Sequence, residues 1–379
     1  MLIYQKNGQY FAQAATGTEE LGAEELRELG ASDVRSAFRG IYFYGDRECL
    51  YRINYQSRFL TRVLAPLAVF DCPDPDILYR KAQSISWPDI FGIDNTFAVF
   101  ANVSHSQITH SQYAALRVKD AVADQFRKRH GQRPNVDTEN PDVRIDLYLH
   151  KDKATISLDT SGGSLHRRGY RKEGLEAPMQ ETVAAVIIRV SGWDGSMPLA
   201  DPMCGAGTLL SEALMSYCRI PAGYLRPRFG FEFLPDFDPD IWDCVKKTAD
   251  QEIRPLRDGL ISGSDISSQA VEVAKKNCGH LPSGEKICLS SGAFQDIERM
   301  ENTVIVCNPP YGIRMGNRDK SDILMKEFGD FLKHRCKGSS AYVYFGDRDL
   351  MKRIGLKPSW KKELRNGGLD GRLAKYEMY

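Results

Sequence analysis

The chain of 379 residues has no paired cysteine motif: its nine cysteines are scattered and no CxxC occurs. That argues against a zinc knuckle or a dithiol redox site, and the spacing fits isolated free thiols in a reducing compartment. No metal is expected. Long apolar runs are also missing. The longest, around Thr182 to Val190, is far too short to cross a bilayer as a helix. Met1-Leu2-Ile3-Tyr4 gives way at once to polar residues, which reads as the start of a cytoplasmic protein without a leader. Net charge is absent too: 51 Lys and Arg oppose 50 Asp and Glu, a formal +1. Bulk attraction to nucleic acid is thereby excluded, and any such binding must come from local basic patches. There is no internal repeat and no low-complexity tract.

What is present is an ordinary globular composition, 42% hydrophobic and 27% charged, long enough for two or three domains. Tyr10 to Ala15 reads as a strand, Thr18 to Leu29 as a helix stopped by Gly30, and Val34 to Phe43 as a strand broken at Gly40. Arg47 to Tyr55 reads as a helix. Together these make a small α+β unit over residues 1–55. Residues 56–160 make a second one. Its strands are Thr61–Phe70, Thr96–Val103, and a hairpin of Val143–Leu149 with Ala154–Leu158. Its helices are Pro73–Ser84 and Ser111–His130. Residues 161–176 form a linker that opens SGGSLHRRGYRK. From 177 to 379, helices alternate with short apolar strands (Pro198–Ala200, Leu260–Ser264, Thr303–Cys307, Ser340–Tyr344). That alternation predicts an α/β, doubly wound, mostly parallel Rossmann-like sheet with helices on both faces.

Two motifs in this last part carry chemistry. The first is Asp201-Pro202-Met203-Cys204-Gly205-Ala206-Gly207-Thr208, at a strand end leading into a helix. Gly205 and Gly207 permit a tight turn and close backbone approach, and the helix N-terminus offers unpaired N–H groups to a carboxylate. Asp201 can balance an ammonium. The pattern is neither GxGxxG nor a phosphate loop. The next strand ends in Gly263-Ser264-Asp265-Ile266, where Asp265 can accept two ribose hydroxyls and Ile266 can cover an adenine face. Asp265 also reads as a plain helix N-cap. Asp296 can meet the adenine amino group, or serve only as a turn carboxylate.

The second motif is Thr303-Val304-Ile305-Val306-Cys307-Asn308-Pro309-Pro310-Tyr311-Gly312, an apolar strand running straight into two prolines that fix a rigid turn. An exocyclic amine on a base is a poor nucleophile because its lone pair is delocalised into the ring. If the Asn308 side-chain oxygen and the Pro309 carbonyl accept its two hydrogens, the nitrogen moves toward sp³ geometry and can attack a sulfonium methyl in line. Tyr311 can stack on the base. Cys307 precedes the turn and reads as a buried strand residue.

With these residues in view, the chain resembles the THUMP-domain methyltransferases that make N2-methylguanosine in RNA, and most closely the 23S rRNA guanine-N2 methyltransferase family. The resemblance covers nearly the whole chain. It implies a ferredoxin-like domain over 1–55, a THUMP domain over 56–160 and a Rossmann-like methyltransferase domain over 177–379. Leu165 to Arg171, and Ala177-Pro178-Met179-Gln180-Glu181-Thr182, resemble the approach to that last domain. Arg219 to Phe233 resembles an insertion between its first two strands. The implied cofactor is S-adenosyl-L-methionine, bound by Asp201, Pro202, Cys204, Gly205, Gly207, Thr208, Asp265, Ile266, Asp296 and Asn308. The implied catalytic loop is Asn308, Pro309, Pro310 and Tyr311. The implied partner is structured RNA, 23S rRNA in particular. RNA contacts are expected at Arg117, Arg127, Lys128, Arg129 and Arg133, and in the linker at Arg167, Arg168, Tyr170 and Arg171. In some bacteria this family is fused to a second methyltransferase, and a second modification activity is not expected here.

Other activities share parts of the signature. A tRNA guanine-N2 methyltransferase has the same parts. DNA adenine-N6 and protein glutamine methyltransferases share the Asn-Pro-Pro-Tyr loop, but residues 1–160 look like neither a DNA target-recognition domain nor a short helical substrate domain. A non-catalytic RNA-binding factor would not need complete cofactor and catalytic motifs.

Overall fold

Residues commit to their elements through caps and buried periodicity. The computed structural model of the protein describes residues 2–173, 179–310 and 318–379. Its helices are α1 (Ile3–Asn7), α2 (Glu19–Glu28), α3 (Arg47–Gln56), α4 (Pro75–Gln83), α5 (Ser111–His130), α6 (Glu181–Ser191), α7 (Thr208–Tyr217), α8 (Pro239–Gln251), α9 (Ser268–Gly279) and α10 (Arg318–Arg335). Asp46 caps α3 by accepting from Cys49 N at 2.8 Å, and Asp74 caps α4 with Pro75 in the first turn. Such caps are worth ~1 kcal/mol each. The strands are β1 (Gln9–Ala14), β2 (Ser32–Ala37), β3 (Gly40–Tyr44), β4 (Leu60–Asp71), β5 (Phe97–Ser104), β6 (Val143–His150) and β7 (Lys153–Asp159). They continue as β8 (Leu199–Asp201), β9 (Ile261–Asp265), β10 (Cys288–Ser291), β11 (Val304–Cys307), β12 (Ser340–Phe345), β13 (Trp360–Asn366) and β14 (Leu369–Glu377).

The chain divides into two units. The first holds Met1–Ala14, Gly22–Leu165 and Arg226–Lys247. Its seven-stranded sheet runs β2-β3-β1-β4-β7-β6-β5, antiparallel throughout except for the β5–β6 pair. The twelve-residue β4 pairs with β1 along one stretch and β7 along the next, so a single sheet serves both small α+β parts. The residues expected as one broken strand at Val34–Phe43 are a hairpin, β2–β3, turning at Phe38-Arg39. Residues 226–247, which carried no functional signal in the sequence, complete this unit. Tyr51 stacks on Phe231 at 4.5 Å, and Tyr55 meets Trp242 edge-on at 5.3 Å.

The second unit holds Ala15–Leu21, His166–Leu225 and Thr248–Tyr379. Its sheet runs β10-β9-β8-β11-β12-β14-β13. The first five strands are parallel, and β14 and β13 close the edge antiparallel. The Rossmann-like expectation therefore holds with an antiparallel hairpin added. β8 is first in sequence yet lies between β9 and β11, so the order reverses there. In open α/β sheets that switch point opens a crevice at the carboxyl ends of the strands. A core of Ile305, Cys307, Met325, Phe328, Leu332, Val343 and Tyr376 backs β11.

Candidate functional site

Parallel register brings the two sequence motifs together. Leu199 and Ala200 pair with Val304 and Ile305 on one side and with Ile261 and Ser262 on the other. Asp201, Asp265 and Asn308 therefore end three adjacent strands at the same edge of the sheet.

The glycine loop is held by its own backbone and by Asp265. Cys204 N donates to Ser264 O at 2.9 Å, and Gly207 N to Cys204 O at 2.9 Å. Gly205 N donates to Asp265 Oδ2 at 2.9 Å, while Ser267 N donates to Asp265 Oδ1 at 2.9 Å. The cap of α9 is Ser267, which accepts from Ala270 N, so Asp265 is not the N-cap. Gly207 sits at φ +77°, and an added Cβ would come within 3.1 Å of Ala274 Cβ. Gly207 also precedes α7 as an N-cap without a side-chain hydrogen bond. The helix thus presents N–H groups that nothing in its own side chains covers.

Asp201 is 2% exposed and accepts from Met203 N at 3.1 Å. Burial, reinforced by the Asp265 charge, pushes its carboxyl up to about 8, although the Met203 N–H and the Cys307 thiol both hydrogen-bond to it. The Cys307 thiol is itself raised well above its usual range, first by burial and then by the Asp201 charge. Cys307 is a buried strand residue, as its position in the sequence suggests.

Asn308 is half-buried, and its Oδ1 is buried without a hydrogen-bond partner among the described residues. Pro309 is buried and Pro310 half-buried. An orphaned acceptor costs roughly 1–3 kcal/mol unless something outside the chain satisfies it. Tyr311 lies outside the described residues, as do Ala177 and Pro178. Thr208 is buried, and its Oγ1 accepts from Arg171 Nη2 at 2.9 Å. Pro202 and Cys204 are buried within the loop. Ile266 is 78% exposed at the strand end, an apolar surface open to a flat ligand. Asp296 is exposed in a short turn after β10. A cavity of about 280 Å³ lies beside Asp201, lined by Ser262, Ser264, Leu289, Ser290, Ile297 and Met300 among others. Asp201 lines it, whereas Gly205, Gly207 and Asn308 do not.

The linker corrects part of the RNA-contact expectation. Arg168 is 1% exposed, its Nε 3.4 Å from Glu212 Oε1, and the buried Tyr170 hydroxyl donates to the same oxygen at 3.1 Å. A phosphate cannot reach either side chain, because both are packed against a helix carboxylate. Arg171 spends its guanidinium on Met179 O, Thr208 and Glu181. Arg167 is exposed. Sequence reasoning also missed Asn277, which donates to Ala206 O at 3.1 Å and accepts from Lys172 N at 3.2 Å, tying the glycine loop to the linker. A lone helical asparagine gave no signal of this.

On α5, in the first unit, Arg117 reaches Asp76 at 2.9 Å and lies over the Tyr79 ring. Arg127 pairs with Asp124 and Arg129 with Asp89. Lys128 and Arg133 are exposed and carry no ion pair among the described residues.

Comparison with known proteins finds three family domains along the chain. Residues 168–375 match the RMKL-like methyltransferase domain, 73–159 the THUMP domain, and 9–64 the RlmL ferredoxin-like domain. A Synechocystis protein, slr0064, provisionally named an RNA methyltransferase, is 40% identical over 98% of this chain and 97% of its own length. The ribosomal RNA large subunit methyltransferase K/L of Syntrophotalea carbinolica is 38% identical over 97% of this chain but 53% of its own. The chain thus spans about half the length of the K/L relatives it matches. Among solved structures, SMU.472 complexed with SAH superposes at TM-score 0.87, with 29% identity and 98% of each chain covered.

Proposed function

The chain belongs to the RMKL-like methyltransferase family, and from that premise we propose that it methylates the exocyclic N2 of a guanine in 23S rRNA. S-adenosylmethionine is its cofactor, and its substrate class is RNA.

The residues fit that cofactor. The uncapped N-terminus of α7 and the backbone of Gly205 and Gly207 suit a carboxylate. Asp201 suits an ammonium, Asp265 a ribose diol, and exposed Ile266 an adenine face. Bound there, S-adenosylmethionine supplies an electrophilic methyl on a sulfonium.

The chain's own part in the chemistry is read from one observation, the buried Oδ1 of Asn308 at the end of β11, unpartnered among the described residues. That oxygen accepts one amine hydrogen and the Pro309 carbonyl accepts the other, which localises the nitrogen lone pair for attack. Two prolines with fixed φ restrict the turn, which supports acceptors set before substrate arrives. Tyr311 stacks on the base. An amine inside a helix is out of reach, so a paired target base must be extruded first. The exposed cations Lys128, Arg133 and Arg167 meet phosphates.

The test is mass-spectrometric mapping of N2-methylguanosine in rRNA and tRNA from a deletion strain, with methyl transfer to each unmodified RNA by the purified chain. Loss of one N2-methylguanosine in 23S rRNA, restored in vitro, is expected. Loss in tRNA, or transfer to adenine N6 of DNA, would overturn the reading.

A further inference from the structure

The β2–β3 hairpin of the first unit carries chemistry that an ordinary solvent-facing turn does not need. Phe38 stands at its tip, 80% exposed. Arg39, beside it, holds φ +59°. That left-handed conformation suits Gly, Asn or Asp, and an arginine there is strained. Behind the tip, Tyr42 is 47% exposed and its ring meets that of Phe11 at 4.8 Å. Gly40 makes this possible: an added Cβ would lie 2.3 Å from Phe11 Cζ, so the missing side chain is what lets the ring lie along the hairpin neck. Arg35 stands opposite Tyr42 in register and is exposed.

One exposed apolar side chain is unremarkable on any surface. Here a phenylalanine and a tyrosine are exposed on one hairpin, with a second phenylalanine behind them and guanidinium groups alternating among them. The one acid of β2, Asp33, stands two residues before Arg35 and leaves the tip itself without a carboxylate from that strand. A protein partner would be expected to bury the rings among apolar groups. Rings interleaved with cations suit a flexible polyanion whose repeating unit has a flat face.

We propose that this hairpin is a base-stacking contact for an unpaired stretch of the RNA substrate, with Phe38 and Tyr42 taking base faces and Arg35 taking a phosphate. The inference rests on the reading that the chain acts on RNA, and it names a contact outside the methyltransferase unit.

The experiment measures affinity of the full chain for unmodified 23S rRNA fragments by fluorescence anisotropy, and affinity for S-adenosylhomocysteine by calorimetry. Phe38→Ala is expected to weaken RNA binding about fivefold or more, the loss that follows from removing one stacked base. S-adenosylhomocysteine affinity should stay unchanged, and Phe38→Trp should restore RNA binding. Photocrosslinks from the RNA should fall on the peptide containing Phe38. If the native chain binds RNA and Phe38→Ala binds it equally, with no crosslink at the hairpin, the inference fails and the RNA reading stands. If the native chain binds no RNA, the functional reading fails with it. A dimer formed without RNA and abolished by Phe38→Ala would assign the patch to a second copy and overturn the proposal.

Discussion

Replacing Asn308 with alanine should move activity and stability in opposite directions. Its Oδ1 is buried with no partner among the described residues, so the ligand-free protein carries a desolvated acceptor at a cost of roughly 1–3 kcal/mol. Asn308→Ala removes the acceptor and leaves no new orphan, while losing only the packing of a half-buried side chain. The net effect should run from neutral to about 1 kcal/mol stabilising, or up to roughly 4 °C in Tm for a domain of this size. Turnover should behave differently. Deleting one preorganised group that acts on developing charge typically costs ~10²–10³ in kcat. The assay pairs thermal unfolding of the ligand-free protein with single-turnover transfer to unmodified RNA. A Tm that falls by more than about 4 °C would make Asn308 a structural residue. Activity retained within about tenfold would remove it from the chemistry. Either result refutes the reasoning, because the orphaned oxygen is what joins the two effects.

Other consequences are as direct. Asp201 titrates near 8 when folded, against an ordinary 3.8, so the folded state holds the proton more tightly. Its contribution to stability is full below about pH 4 and is lost as pH rises through about 8. Asp201→Asn should flatten that fall, and denaturant midpoints at pH 5, 7 and 9 that decline equally in both proteins would contradict it. Arg168→Ala should act on folding and not on RNA affinity. Leaving Glu212 buried with the Tyr170 hydroxyl but without its Arg168 cation should cost on the order of 3–5 kcal/mol, read as lost soluble protein or a collapsed urea midpoint. The double substitution Lys128→Ala with Arg133→Ala should lower the slope of log affinity against log salt by roughly 1.4 to 1.8 if both meet phosphates. An unchanged slope would take Lys128 and Arg133 out of the RNA contact.

Legibility followed how far each signal reached along the chain. Val304 to Cys307 are all buried and run straight into Asn308-Pro309-Pro310, so both strand and turn were readable locally. The twenty residues of α5 declared themselves through a buried stripe of Ala114, Val118, Ala121, Val122 and Phe126. β13 did not, because an edge strand reading Trp-Lys-Lys-Glu-Leu-Arg-Asn buries only Leu364 and Asn366. β10, four residues with little burial, was equally silent. The linker misled for a different reason. Arg168 looks solvated beside Arg167, and the carboxylate that buries it lies 44 positions away on α7. Composition cannot reveal such a partner, nor the acceptor geometry that separates Asn308 from any other asparagine before proline.

The first unit is not complete when its first 165 residues are. Residues 226–247 belong to it, and Tyr51 and Tyr55 rest on Phe231 and Trp242. On a translating ribosome these tyrosines lack Phe231 and Trp242 until the intervening stretch, 166–225, has been made. At ~5–20 residues per second that stretch alone takes roughly 3–12 s. The nascent chain therefore carries a naked aromatic surface through that interval, an exposure during which a chaperone would have most to do.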